Sequence, residues 1–140
     1  MNIFLDANIL VAVLNKEYPV FSLAARILSL ADHPRYKIYT SPVCLAIAYY
    51  FAEKKSSSAS AKKKISLILE HIHVAASHQS GVLNTLSNPK INDFEDGLKY
   101  FAALESDCDC IVTENVKDFY FSKIEVLDCK GFAQKYFVKI

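Results

Sequence analysis

At 140 residues, with 52% hydrophobic and 22% charged positions and only three glycines, the chain has the make-up of one folded domain with a sizeable core rather than of a disordered segment. Its formal net charge of +1 excludes a general basic coat for nucleic acid, though not a local basic patch. No apolar run of membrane-spanning length occurs and no basic leader precedes the short apolar start, so the expectation is a cytoplasmic protein without a membrane association.

The segment NIFL (2–5) is an apolar run stopped by Asp6, Ala7 and Asn8, and ILVAVLN (9–15) continues without a breaker, which predicts a strand followed by a helix. After Pro19, residues Val20, Leu23, Ala24, Ile27, Leu28 and Ala31 recur at threes and fours and form one apolar helical face. YKIYT (36–40) predicts a second strand. In SPVCLAIAYYFAEKK (41–55), Ser41 at the N-cap and Pro42 at the first helical position open a third helix, apolar nearly all round through Tyr50. SSSASA (56–61) reads as a connector to the helix KKKISLILEHI (62–72), HVAA (73–76) as a short strand, and SHQSGVLNTLSN (77–88) as a helix begun by Ser77.

The next helix opens with NDFEDGLKYF (92–101), where Asn92 and Glu95 stand in the capping-box relation. Its core face is predicted as Phe94, Leu98, Phe101, Ala102 and Leu104, which leaves Asp93, Asp96, Gly97 and Tyr100 on another face. CDCIVT (108–113) is the strongest strand pattern, ENVKDF (114–119) a polar turn after it, and EVLD (125–128) and GFAQKYF (131–137) a last strand and helix. Strands alternating with helices imply an α/β domain over 1–140, with a mostly parallel sheet covered on both faces.

Cys44, Cys108, Cys110 and Cys129 sit in apolar stretches without a C-x-x-C pair and read as buried free thiols, with a zinc site that includes His71 or His73 as the minor alternative. Lys54, Lys55, Lys62, Lys63 and Lys64 flank the serine stretch and read first as a solvated surface run, second as a grip on RNA phosphates.

The acids carry more information. In open α/β sheets ligands bind at the carboxyl ends of the strands, where the following helices begin. Asp6 ends the first strand, Asp96 lies in the first turn of its helix, and Thr113, Glu114, Asn115 and Asp118 follow the strongest strand, so all of them are predicted on one edge. Two carboxylates about 5 Å apart repel by roughly 3 kcal/mol at an effective dielectric of about 20, so such a cluster needs a cation. Oxygen donors alone point to Mg²⁺ or Mn²⁺, which can activate water and neutralise charge during phosphodiester cleavage.

In this order, FLDANIL, DFEDGLKYFAALESDCDCIVT and TENVKDF resemble the successive motifs of PIN-domain proteins, above all the bacterial VapC-like toxin ribonucleases. The resemblance implies a three-layer α/β/α sandwich and a Mg²⁺- or Mn²⁺-dependent endoribonuclease, with RNA as substrate, an antitoxin protein as partner and a homodimer as assembly. It places the catalytic, metal-holding acids at Asp6, Asp96 and Asp118, with Thr113 and Asn115 supporting the final loop. From the residues themselves, the amides of Asn8 and Asn115 suit orienting water or a carboxylate, and Asp93 reads first as a helix-start residue and second as a metal contact. Two residues depart from the pattern. Ile47 stands where a Glu or Asn is usual, and Glu114 stands where a basic residue is usual, which suggests Glu114 as a stand-in for the missing carboxylate. The alternative that Ile47 favours is a catalytically degenerate module that binds RNA or protein.

Overall fold

The computed structural model describes residues 1–137; the remainder of the expected 1–140 domain lies outside the described residues. Five parallel strands form one sheet in the order β3-β2-β1-β4-β5, built from β1 (Asn2–Leu5), β2 (Lys37–Thr40), β3 (His73–Val74), β4 (Cys110–Val112) and β5 (Glu125–Leu127). Helices α1 (Ala7–Leu14), α2 (Phe21–Ser29), α3 (Pro42–Lys55), α4 (Ser58–Leu69), α5 (Gln79–Ser87), α6 (Phe94–Glu105) and α7 (Cys129–Tyr136) complete the α/β/α sandwich. Ile3, Phe4 and Leu5 of β1 and Cys110, Ile111 and Val112 of β4 have no solvent exposure. Such unbroken apolar runs suit strands covered on both faces, and they put β1 and β4 side by side in the middle of the sheet. None of the helices among the described residues is long and apolar enough to cross a membrane.

Local signals explain most boundaries. Ser41 Oγ accepts the Cys44 N–H and Pro42 follows it, so α3 starts where the capping pattern predicts. The serine stretch departs from its reading as a connector, because Ser57 Oγ accepts the Ser60 N–H and α4 begins at Ser58. A serine cap followed by alanines favours helix over coil. The lysines on either side grip α1: Lys55 Nζ donates to Asn15 O at 2.7 Å and Lys64 Nζ to Leu14 O at 3.3 Å. Both therefore serve the negative end of that helix. All four cysteines are buried and free, and burial pushes the thiols of Cys108, Cys110 and Cys129 up to about 12.

The start and the face of α6 both differ from the sequence reading. Asp93, rather than Asn92, is the N-cap, with its Oδ1 accepting the Asp96 N–H at 3.0 Å. A carboxylate suits that place because it meets both the free N–H and the positive helix end. The buried side holds Asp96, Gly97, Lys99, Tyr100, Ala102 and Ala103, whereas Phe94 and Leu104 are 46% and 39% exposed. Close packing of α5 on α6 sets this rotation. A Cβ at Gly97 would stand 2.3 Å from Thr85 Cγ2, so only glycine lets the two helices approach this closely. Two charged residues can lie on the inner side because they pair there.

Candidate functional site

Asp6 is the first residue past β1 and the cap of α1. Its N–H extends the ladder to Val112 O at 3.0 Å, and its Oδ1 accepts the Ala7 N–H at 2.6 Å. From the end of the neighbouring strand, the Thr113 hydroxyl donates to Asp6 Oδ2 at 2.7 Å. That hydroxyl accepts the side-chain amide of Asn8 at 3.2 Å and the Asn115 N–H at 3.1 Å, while Asn8 Oδ1 accepts the Glu114 N–H at 3.2 Å. The loops after β1 and β4 are thus tied into one rigid edge, with Asp6 only 3% exposed and Thr113 fully buried.

Asp96 reaches the same place from the first turn of α6, and Lys99 lies one turn further along the same helix. Lys99 Nζ sits 2.9 Å from Asp6 Oδ1 and 3.5 Å from Asp96 Oδ1. Asp96 and Lys99 are 8% and 7% exposed. Burial raises the Asp96 pKa to about 6; Lys99 opposes this, and Asp93 and Asp6 add to it. Burial works against the Lys99 ammonium, but the Asp6 carboxylate outweighs it and holds Lys99 above the usual lysine range. Cys44 Sγ is 3.9 Å from Asp6 Oδ1, and burial, followed by the Asp6 charge, lifts its thiol to about 11. The three charged groups open into a cleft of about 320 Å³, whose lining includes a further acid, Glu17, with Asn8, Asn115 and the apolar Val11, Ile47 and Phe51.

The structure therefore brings together Asp6, Asp96, Asn8, Thr113 and Asn115. Asp93 acts as the helix cap. Glu114 is exposed and turns toward α7, where its Oε2 accepts the Cys129 N–H at 2.9 Å. Asp118 is exposed on a single 3-10 turn, Val116–Phe119, and among the described residues no hydrogen bond or ion pair joins it to Asp6 or Asp96. Among the described residues, no group of three or more His, Cys, Asp or Glu is arranged as a metal site. Ile47 lines the cleft as an apolar wall.

The sequence reading missed two charged residues of the cleft, Lys99 and Glu17. Two signals pointed to Lys99: its three-residue spacing from Asp96, which puts both on one helix face, and the need of paired acids for a cation. The donor chemistry of the cleft fits a hard divalent ion, since Asp6 and Asp96 both offer carboxylate oxygens. In the arrangement described here, an ammonium stands between them.

A PIN domain family model matches residues 2–117. VapBC2 of Rickettsia felis, in a structure bound to a DNA fragment from its promoter, is 19% identical with a TM-score of 0.68, over 91% of this chain and 98% of that one. VapC20 of Mycobacterium tuberculosis, described as a sarcin-ricin loop cleaving toxin, is 14% identical with a TM-score of 0.66, over 88% of this chain and 98% of that one. VapBC-1 of nontypeable Haemophilus influenzae is 20% identical with a TM-score of 0.65, over 93% and 99% of the two chains. At these identities the likeness is one of fold. No curated protein matches the chain by sequence.

Proposed function

The chain belongs to the PIN domain family, and from that premise we propose that it is the ribonuclease of a toxin–antitoxin pair, hydrolysing RNA phosphodiesters with Mg²⁺ or Mn²⁺ in the cleft between Asp6 and Asp96. One observation carries this reading: two acids 90 positions apart in sequence converge on a single cleft at the carboxyl edge of the parallel sheet. The fold shared with VapC20, a toxin that cleaves the sarcin-ricin loop, supports RNA as the substrate class. The likeness to the VapBC2 structure with promoter DNA supports an antitoxin partner. A cytoplasmic location and a homodimer go with the same reading.

When bound, the divalent ion would supply water activation and charge neutralisation at the phosphodiester. Asp6 and Asp96 would hold it. The Thr113 hydroxyl and the Ala7 N–H fix the Asp6 carboxylate in one orientation before any ligand arrives. Asn8 and Asn115 line the cleft with amides suited to orienting water or a phosphate oxygen. In this reading Asp118, on the turn after β4, is the third acid.

The test is cleavage of a structured RNA by the purified protein in Mg²⁺, in Mn²⁺ and in EDTA, with Asp96→Asn prepared in parallel. Metal-dependent cutting that disappears in the variant supports the proposal. No cutting on several RNAs refutes it. The second reading, a catalytically degenerate module that binds RNA or protein, is favoured by the Lys99 ammonium on both acids and by the apolar Ile47 in the cleft. Its signature is RNA or antitoxin binding in a gel shift without strand scission.

A further inference from the structure

We propose that Lys99 is a built-in counter-cation: its ammonium holds Asp6 and Asp96 together in the metal-free protein and competes with a divalent ion for those carboxylates. The inference rests on the proposed function only for the place where a metal would bind. The lone pairs of Asp6 are what the two cations would share. Its Oδ2 accepts the Thr113 hydroxyl, while its Oδ1 accepts the Ala7 N–H at 2.6 Å and the Lys99 ammonium at 2.9 Å, with the Cys44 thiol also close. A carboxylate oxygen has about two lone-pair sites, so while Lys99 stays Oδ1 is saturated and Asp6 keeps one open site, on Oδ2.

The same ammonium is the close cationic partner of Asp96, at 3.5 Å. A divalent ion held by both acids would lie within a few ångströms of this charge, and the two would repel. Lys99 also lines the cleft, and its flexible four-carbon stem can carry the ammonium away from the acids. An ion pair with a purely structural role would make no demand on metal affinity. A competing one does.

The experiment measures Mn²⁺ binding to the full chain by the loss of the free-ion electron paramagnetic resonance signal. The proteins are wild type, Lys99→Gln, Lys99→Arg and the double variant Lys99→Gln/Asp6→Asn, and their thermal melting is followed with and without Mn²⁺. Removing the charge should tighten Mn²⁺ binding about tenfold or more. Lys99→Arg, which keeps the charge, should remain as weak as wild type, and the double variant should lose the gain. If Lys99→Gln folds only when Mn²⁺ is present, the metal has replaced the ammonium, and the proposal stands. Affinity in Lys99→Gln no tighter than wild type, a gain that persists without the Asp6 carboxylate, or failure to fold even with Mn²⁺ would overturn it. RNA cleavage is read separately. Tight Mn²⁺ binding in Lys99→Gln without cutting by either protein would defeat the ribonuclease reading and leave the counter-cation intact.

Discussion

Replacing Asp96 with asparagine should stabilise the protein in the absence of metal, although it removes one member of a salt bridge. The Asp96 pKa is about 6 against an ordinary value of 3.8, because burial, and then the Asp93 and Asp6 charges, outweigh the help from Lys99. The folded state therefore holds this proton more tightly than the unfolded state does. The associated stability is fully present below about pH 4 and is lost as pH rises through about 6. Two pH units correspond to roughly 3 kcal/mol, and relaxation of the cleft reduces this, so a gain of about 1 to 3 kcal/mol for Asp96→Asn is the outcome at pH 7.5. Breaking a buried pair usually costs about 3 to 5 kcal/mol because an unpaired charge remains. Here Lys99 keeps the nearer of its two partners, Asp6 at 2.9 Å. The assay is urea unfolding in EDTA between pH 4.5 and 8 for both proteins. Only the difference between them is read, which cancels the other carboxylates. A variant less stable than wild type at pH 7.5, or a difference that does not change across this range, would refute the reasoning.

Three further outcomes can be checked. Thr113→Val keeps the shape but leaves Asp6 Oδ2 without its donor, and should cost about 1 to 3 kcal/mol in chemical denaturation. Gly97→Ala drives a methyl group into Thr85, and should lower stability by about 1 to 3 kcal/mol; the loss should shrink when Thr85 is also changed to Ala, and a neutral Gly97→Ala would show that α5 and α6 separate easily. Glu114→Gln should leave Mn²⁺ affinity unchanged, because the Glu114 carboxylate faces the Cys129 N–H; weakened binding would restore it as a substitute metal ligand.

The sheet was legible because β1 and β4 are short apolar runs closed by abrupt polar residues, and α3 was legible because Ser41 and Pro42 mark its start. The meeting of Asp6 and Asp96 followed from the rule that strand ends and helix starts share an edge. What periodicity could not supply was the orientation of α6. Counting apolar side chains turned Phe94 and Leu104 inward, yet Gly97 and the Lys99 ion pair with Asp6 decide the rotation. That pair links residues 93 positions apart, so no local window contains it. The direction of Glu114 is also set by tertiary packing, since its partner is a backbone N–H 15 positions on, at the start of α7.

The serines that end α3 and open α4 look like the most expendable part of the chain, a natural place to insert a tag or vary a loop. Lys55 at the end of α3 and Lys64 in the second turn of α4 flank them, and both ammonium groups close on the last carbonyls of α1, the helix whose opposite end carries Asp6. The α3–α4 junction works as a clasp. Lengthening it would loosen one jaw against the other and disturb the seating of the helix capped by Asp6, so tolerance to insertion at this point would be lower than its monotonous composition suggests.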